Sequence, residues 1–204
     1  MRYTGPKFKL CRREWINLFW PAKYNVKQRR KLPGQHGDNM SRLSEYGKLL
    51  RNKQVLKRIY QMTEKQFKRF VTEVALKYSK NTGIDYDKSV KIILERRLDA
   101  ILYRSGMANT IIQARQMITH GHFLLNGIKH NIPSYLVKKG DIIELREKLK
   151  NSPLYEQENK NVKSPSYLKT ILADKKIEIL DLPRVDEIDV PADVLKVIEF
   201  YARA

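Results

Sequence analysis

Three histidines fall close together, His120, His122 and His130, and they are the first residues in this chain whose type invites chemistry. Their spacing of i, i+2 and i+10 matches no common metal-ligand pattern, and no obvious carboxylate completes a set. Hydrogen bonding or ring stacking suits them better than metal binding. Catalytic signatures are absent elsewhere. The chain has no glycine-rich phosphate loop followed by Lys and Ser/Thr, and no nucleophile elbow. Its acidic residues mostly have basic neighbours on predicted helices, as solvated faces do. Cys11 is the single cysteine, so no disulfide can form within the chain and no Cys-based zinc site can be built. No metal and no other cofactor is expected.

The stronger chemical signal is cationic. The 204 residues carry 41 Lys and Arg against 22 Asp and Glu, a net charge of +19. Residues 1–60 hold 16 basic against 3 acidic residues (+13), residues 61–150 hold 17 against 9 (+8), and residues 151–204 hold 8 against 10 (−2). An excess of this size and asymmetry calls for a polyanion facing the first three quarters of the chain, nucleic acid before anionic membrane. No apolar run approaches a membrane span, and MRYTGPKFKL lacks the apolar stretch of a secretory signal. The segment PGQHG, residues 33–37, sets a tight turn of small residues inside the basic region. Such a turn can bring backbone N–H groups close to phosphate, or it can connect two helices.

The elements that must carry these residues follow from periodicity and turn chemistry. Residues 1–42 are basic, aperiodic and punctuated by Gly and Pro, with a short helix expected over Arg12–Phe19. From Ser44 a helix places Leu49, Val55, Leu56, Ile59 and Tyr60 on one arc, with Arg51, Lys53, Lys57 and Arg58 filling most of the other. Thr63-x-x-Gln66 is a helix start of capping-box form, and Phe67, Phe70, Val71, Val74 and Tyr78 continue at helical spacing. A third helix is expected from Lys88 to Ser105, and a fourth from Thr110 to His120, closed by Gly121. The period then falls toward two: Phe123–Leu125 leads into Asn126-Gly127, and Gly140-Asp141 into Ile142–Leu145. Residues 150–166 read as polar linker and residues 167–180 as a short hairpin. A terminal helix follows Pro191, with Val194, Leu195, Ile198 and Tyr201 as its apolar face.

The segment from Glu95 to Arg146 contains Arg97-Leu98-Asp99, Ala114-Arg115-Gln116, the Gly121 break, Asn126-Gly127 and Gly140-Asp141. It resembles the small RNA-binding module shared by ribosomal protein S-four, some pseudouridine synthases and tyrosyl-tRNA synthetases. RYTGPKFKLCRRE near the start, LPGQHG at 32–37, RLSEYG at 42–47 and the ending IEFYARA extend the resemblance, in order, over nearly the whole chain. On these motifs the chain resembles the bacterial-type small-subunit ribosomal protein S-four family, bacterial or organellar.

That resemblance implies an α+β protein: a mainly helical domain completed by the C-terminal helix, an inserted α-α-β RNA-binding module and a basic N-terminal arm. The corresponding segments are 1–43 for the arm with its PGQHG loop, 44–90 with 181–204 for the discontinuous helical domain, and 91–180 for the module (core 95–146) with linker and hairpin. The implied function is non-enzymatic: a structural constituent of the small ribosomal subunit and a primary binder of its 16S-type rRNA. The family nucleates 5′-domain assembly at a multi-helix junction, lies where mRNA enters the subunit and, with ribosomal protein S-five, affects decoding accuracy. Membership in a large ribonucleoprotein, not a homo-oligomer, and a place on a cytoplasmic or organellar ribosome go with it.

The family pattern carries RNA contact onto Arg2, Lys7, Lys9, Arg12 and Arg13 in the arm, and onto Gly34, Gln35, His36 and Gly37 in the loop. It carries it also onto Arg42 and Tyr46 after the loop, and onto Arg115 and Asn126 in the module, while Arg97 and Asp99 also fit a fold-locking pair. The cationic pattern adds Arg29, Arg30, Lys31, Lys48, Arg51, Lys53, Gln54, Lys57, Arg58, Arg69, His120, His122 and Lys129. Three departures from the family stand out. Cys11 stands alone where some members hold zinc with several cysteines; Ile111 follows Thr110 where a basic residue is usual; and Asp38-Asn39-Met40 replace basic residues after PGQHG. A modifying enzyme built on the same module would need a catalytic domain with an active-site carboxylate, and residues 147–204 read mostly as linker and helix. A membrane-surface protein would need a more apolar helix face than Arg51–Arg58 offers.

Overall fold

The computed structural model describes residues 3–19, 26, 31–39, 42–155, 164–171 and 174–203. The chain folds as two compact units, Met1–Val90 with Asp189–Ala204, and Lys91–Ile188. Mixed helices and a small antiparallel sheet make it an α+β protein.

In the first unit, α1 (Lys7–Glu14) begins after Pro6 and ends at Trp15, which adopts the left-handed conformation at φ 56°. The helix therefore lies earlier than the Arg12–Phe19 expected from sequence. Pro6 fits the start of a helix, and the left-handed turn at Trp15 stops it before the buried Leu18 and Phe19. The side chain of Ser44 accepts from the Gly47 amide and opens α2 (Glu45–Ile59). Thr63 does the same for Gln66 at the start of α3 (Glu64–Arg69). That helix continues through a π-helical turn, Phe70–Ala75, into α4 (Leu76–Thr82), which stops at Gly83 with φ 70°. The wider π turn keeps a spacing of four on one face, so Phe67, Val71 and Ala75 are buried and Val74 only partly so.

The final helix, α8 (Val194–Arg203), packs on α2 and on the π turn. Its buried residues are Val194, Val197 and Phe200, while Leu195 is 64% exposed. The apolar face is thus rotated from the one expected through Leu195 and Ile198. Phe200 and Tyr201 turn toward Lys53 and Phe67 of the same unit, and the Asp193 amide donates to the Asn52 side chain at 3.0 Å.

The second unit takes up the chain within α5 (Tyr86–Glu95) and continues as α6 (Leu98–Arg104) and α7 (Ile111–Thr119). One helix over Lys88–Ser105 is expected from periodicity; two are found. The Arg96 carbonyl accepts from the Val137 amide at 2.9 Å, the Leu98 amide donates to the Tyr135 carbonyl at 2.9 Å, and Arg97 forms a β-bridge with Leu136. That pairing with a distant segment breaks the helix. After α7 come β1 (Phe123–Leu125), β2 (Ile128–Lys129), β3 (Ile142–Leu145), β4 (Leu168–Ile171) and β5 (Lys176–Ile179). They form one antiparallel sheet in the order β2-β1-β3-β5-β4, with Phe123 opposite Leu145 and Ile143 opposite Ile177. Leu98, Ile101, Leu102, Met117 and Ile118 of the helices pack with Phe123, Ile143, Leu145, Ile177 and Ile179 into one core. Asn126 and Gly127 hold φ of 50° and 79°, the positive values that a two-residue hairpin turn requires.

Candidate nucleic-acid interface

Two carboxylates, one buried and one half-exposed, organise the cationic surface of the first unit. Glu14, at the end of α1, has a side chain only 5% exposed, and it is met by two arginines of α2. Arg51 Nη1 reaches Glu14 Oε2 at 3.1 Å and the Arg13 carbonyl at 3.2 Å; Arg58 Nη1 reaches Oε1 at 2.9 Å. Two guanidinium groups converge on one carboxylate, which leaves a net positive charge there and locks α1 to α2. Arg51 and Arg58 remain partly exposed, at 27% and 23%.

Glu64 is the second. It accepts from Lys53 at 2.8 Å, from Lys57 at 2.7 Å and from the Tyr201 hydroxyl at 2.8 Å. Burial alone would raise its pKa, but the donated hydrogen bonds of Lys53, Lys57 and Tyr201 prevail and bring it down to about 2. Burial and then the Glu64 hydrogen bond push the Tyr201 hydroxyl up. Lys53 is buried, with its ammonium 4.2 Å from the centre of the Phe200 ring. Sequence places Lys53 on the solvent arc of α2; the return of α8 covers it, so it anchors that helix.

Arg12 closes the glycine loop onto α1. Its guanidinium donates to the Lys31 carbonyl at 2.9 and 2.7 Å and to the Leu32 carbonyl at 3.0 Å. The Leu32 amide donates to the Gly37 carbonyl, and a Cβ at Gly37 would collide with the Leu32 carbonyl oxygen. Gly37 is therefore required by the turn itself, whereas Gly34, at φ 108°, faces open space. Gln35, His36 and Arg42 are exposed, and Asp38 pairs with Lys31 at 3.0 Å on the surface. Between this loop and the end of α1 lies a cavity of about 380 Å³, lined by Arg13, Trp15, His36, Asn39 and Arg51 among others.

The remaining cations of this unit spread over its surface. Lys9, Arg13 and Arg69 are exposed, Lys48 pairs with Glu45 at 2.6 Å, and the Lys7 ammonium lies 5.8 Å from the Phe19 ring centre. Arg69 pairs with Glu73 at 3.4 Å, in the open. Tyr46 is 63% exposed although its ring touches Phe200, and Gln54 lines a separate cavity of about 500 Å³ beside Lys57 and Arg58. Arg2, Arg29 and Arg30 lie outside the described residues.

In the second unit a buried ionic network stands under the module. Arg97 and Asp99, each 2% exposed or less at the side chain, form two hydrogen bonds at 3.0 and 2.7 Å, and Arg115 Nη2 joins Asp99 at 3.0 Å. Burial pulls the Arg115 pKa down while Asp99 opposes that. Glu95 and Arg104 form a second two-bonded pair at 3.0 and 2.8 Å. Asn126 donates to Asp141 at 3.0 Å and accepts from the Ile142 amide at 2.8 Å, so its side chain holds the turn onto β3.

The histidines sit near the α7 end of the sheet. The His120 and His122 rings are 5.8 Å apart, and His122 Nδ1 is 2.7 Å from the Tyr155 hydroxyl. Burial first, then His120 and Arg146, lower the His122 pKa, which favours its neutral form. His130 instead packs its ring against Tyr135 at 4.8 Å. Lys129 is exposed and its stem crosses Gly121, while Arg146 donates to the Gly121 carbonyl. The structure thus gathers His120, His122, Lys129 and Arg146 on the module, while Arg115 is drawn to Asp99. Sequence reasoning missed Glu14, Trp15, Glu64 and Arg146. The RRE of Arg12–Glu14 and the exposed aromatic after it were the only signals available.

Among the described residues no group of three His, Cys, Asp or Glu side chains could hold a metal ion. Cys11 is buried, and burial raises its thiol pKa. No helix of the described residues is long and apolar enough to cross a membrane. The arrangement instead suits an extended anion: clustered guanidinium and ammonium groups on rigid helices, a glycine loop and exposed aromatic rings.

Comparison with known proteins is consistent with that chemistry. Residues 2–95 match the family model described as "Ribosomal protein S4/S9 N-terminal domain", and residues 96–143 match the one described as "S4 domain". Among similar curated proteins is the "Small ribosomal subunit protein uS4" of Kosmotoga olearia, 41% identical over 211 residues and 99% of each chain. The proteins of that name from Thermotoga petrophila and Persephonella marina are 42% and 43% identical, over 99% and 98% of each chain.

Proposed function

We infer that this chain, which belongs to the uS4 family of small ribosomal subunit proteins, nucleates assembly of the small-subunit rRNA at a multi-helix junction of the 5′ domain. Membership makes it a structural, non-enzymatic ribosomal protein that binds small-subunit rRNA. The observation that carries the finer reading is the shared carboxylate Glu14, which fixes Arg51 and Arg58 on a rigid two-helix corner. A junction crowds phosphates where RNA helices converge, and cations held in place meet that density with little ordering cost. The module adds a second rigid contact surface through His120, His122 and Lys129. RNA shape and phosphate spacing, more than base sequence, would select the site.

A place where mRNA enters the subunit and a contact with ribosomal protein S-five, both bearing on decoding accuracy, complete the proposal. It is supported by the exposed loop residues His36 and Arg42. Asp38 neutralises Lys31 there, so the grip of this loop on mRNA is weaker than in relatives with basic residues at that place. The protein then acts within a large ribonucleoprotein on a cytoplasmic ribosome and not as a homo-oligomer. The test is the affinity of the full chain for small-subunit rRNA as a function of salt. A protein meeting about 6–10 phosphates loses roughly 10³–10⁵ in affinity between 50 and 200 mM salt. A flat dependence would refute phosphate-led binding.

A further inference from the structure

We propose that the cavity between the end of α1 and the glycine loop is a nucleotide site, which takes one unstacked nucleotide of the rRNA. The inference rests on the rRNA-binding reading and adds a specific pocket to it. Four observations meet there. The cavity has a volume of about 380 Å³, within the range of small-ligand pockets. Trp15 lines it and is 42% exposed, a large aromatic face left open to solvent. Trp15 also holds φ 56°, a conformation that costs a bulky residue energy and that glycine would occupy freely. Arg13 and Arg51 line the same wall, and Glu14 beside them is covered and shared with Arg58, so the wall carries net positive charge.

The division of labour follows from side-chain chemistry. The indole offers a stacking platform for any base. Arg13, exposed and with no side-chain hydrogen bond or ion pair among the described residues, supplies phosphate contact together with the outer edge of Arg51. His36 and Asn39, both exposed, bring donors and acceptors for a base edge. Charge complementarity favours a nucleotide over an apolar peptide, since an apolar occupant would bury the Arg13 guanidinium without a counter-charge.

The test uses the full chain with Trp20→Phe, so that Trp15 is the single indole, titrated with small-subunit rRNA. Stacking should quench Trp15 emission at saturation. Trp15→Ala should weaken rRNA binding about tenfold or more, and Trp15→Phe should restore most of it. The salt slope should be unchanged in Trp15→Ala, because a stack releases no counterion, and should fall by about 1 in Arg13→Gln. A change in fold alone would lower the melting temperature without this split between affinity and slope. Unquenched Trp15 emission, or Trp15→Ala binding as tightly as the parent, would overturn the pocket while leaving rRNA binding intact. Quenching by an unstructured RNA oligomer but not by rRNA would equally overturn it. Failure of the parent chain to bind rRNA would bring down the underlying reading as well.

Discussion

Replacing Asp99 by alanine is the sharpest perturbation of the RNA-binding module. The Asp99 side chain is 1% exposed and accepts from Arg97 at 3.0 and 2.7 Å while pairing with Arg115 at 3.0 Å. The Arg97 side chain is itself 2% exposed, so Asp99→Ala takes from a guanidinium in the core the carboxylate that holds it with two hydrogen bonds. Breaking a buried pair from one side costs about 3–5 kcal/mol, a large share of the ~5–15 kcal/mol that holds a domain folded. With a urea dependence of about 2 kcal/mol per M, the unfolding midpoint should fall by roughly 1.5–2.5 M. Removing both charges of the pair, as in Arg97→Met with Asp99→Leu, should recover part of that loss, because the fully buried guanidinium is gone and Arg115, 22% exposed, can turn toward water. Urea titration of the full chain followed by far-ultraviolet circular dichroism reads both variants. A midpoint shift under about 0.5 M for Asp99→Ala would refute the claim that this pair holds the module. A double variant that is stable but binds rRNA weakly would show that Asp99 also positions Arg115.

Other outcomes follow from the same contacts. The depressed pKa of Glu64, about 2 in the folded chain against an ordinary 4.5, means its contribution to stability is complete above about pH 4.5 and fades as pH falls toward 2. Glu64→Gln should flatten that part of an acid-unfolding curve. Lys53→Ala should destabilise the chain by about 1–3 kcal/mol through lost packing and cation–π contact with Phe200. It should leave the salt slope of rRNA binding unchanged, because the Lys53 ammonium is buried against Glu64. Gly37→Ala meets the Leu32 carbonyl oxygen and should open the turn, seen as increased proteolysis at residues 31–39, whereas Gly47→Ala should be tolerated.

Much of the helical framework is legible in local sequence because its signals are local. Ser44, Thr63 and Thr110 each stand where a side chain must accept an orphan amide, and each does, from Gly47, Gln66 and Gln113. Asn126-Gly127 is readable for the same reason. Where the outcome depends on a distant partner, local pattern is silent. The helix break at Arg97 is made by residues 135–137, and the burial of Lys53 by α8. The face of α8 is set by a spacing of three, Val194, Val197 and Phe200, that the Leu195 and Ile198 side chains disguise. Charge drew attention to Arg51 and Arg58 but not to Glu14, the buried acid that fixes them, whereas Arg115 and the pairing of Asp99 with Arg97 were readable from the module's motif. A lone acid inside a basic run carries no mark in sequence that tells an anchoring carboxylate from a solvated one.

The most direct test of the account is chemical footprinting of naked small-subunit rRNA with the full chain. Protection confined to one helical junction in the 5′ domain, and lost in parallel with affinity as salt rises, is the predicted result. Diffuse protection along the RNA, or none at concentrations that saturate binding, would contradict it.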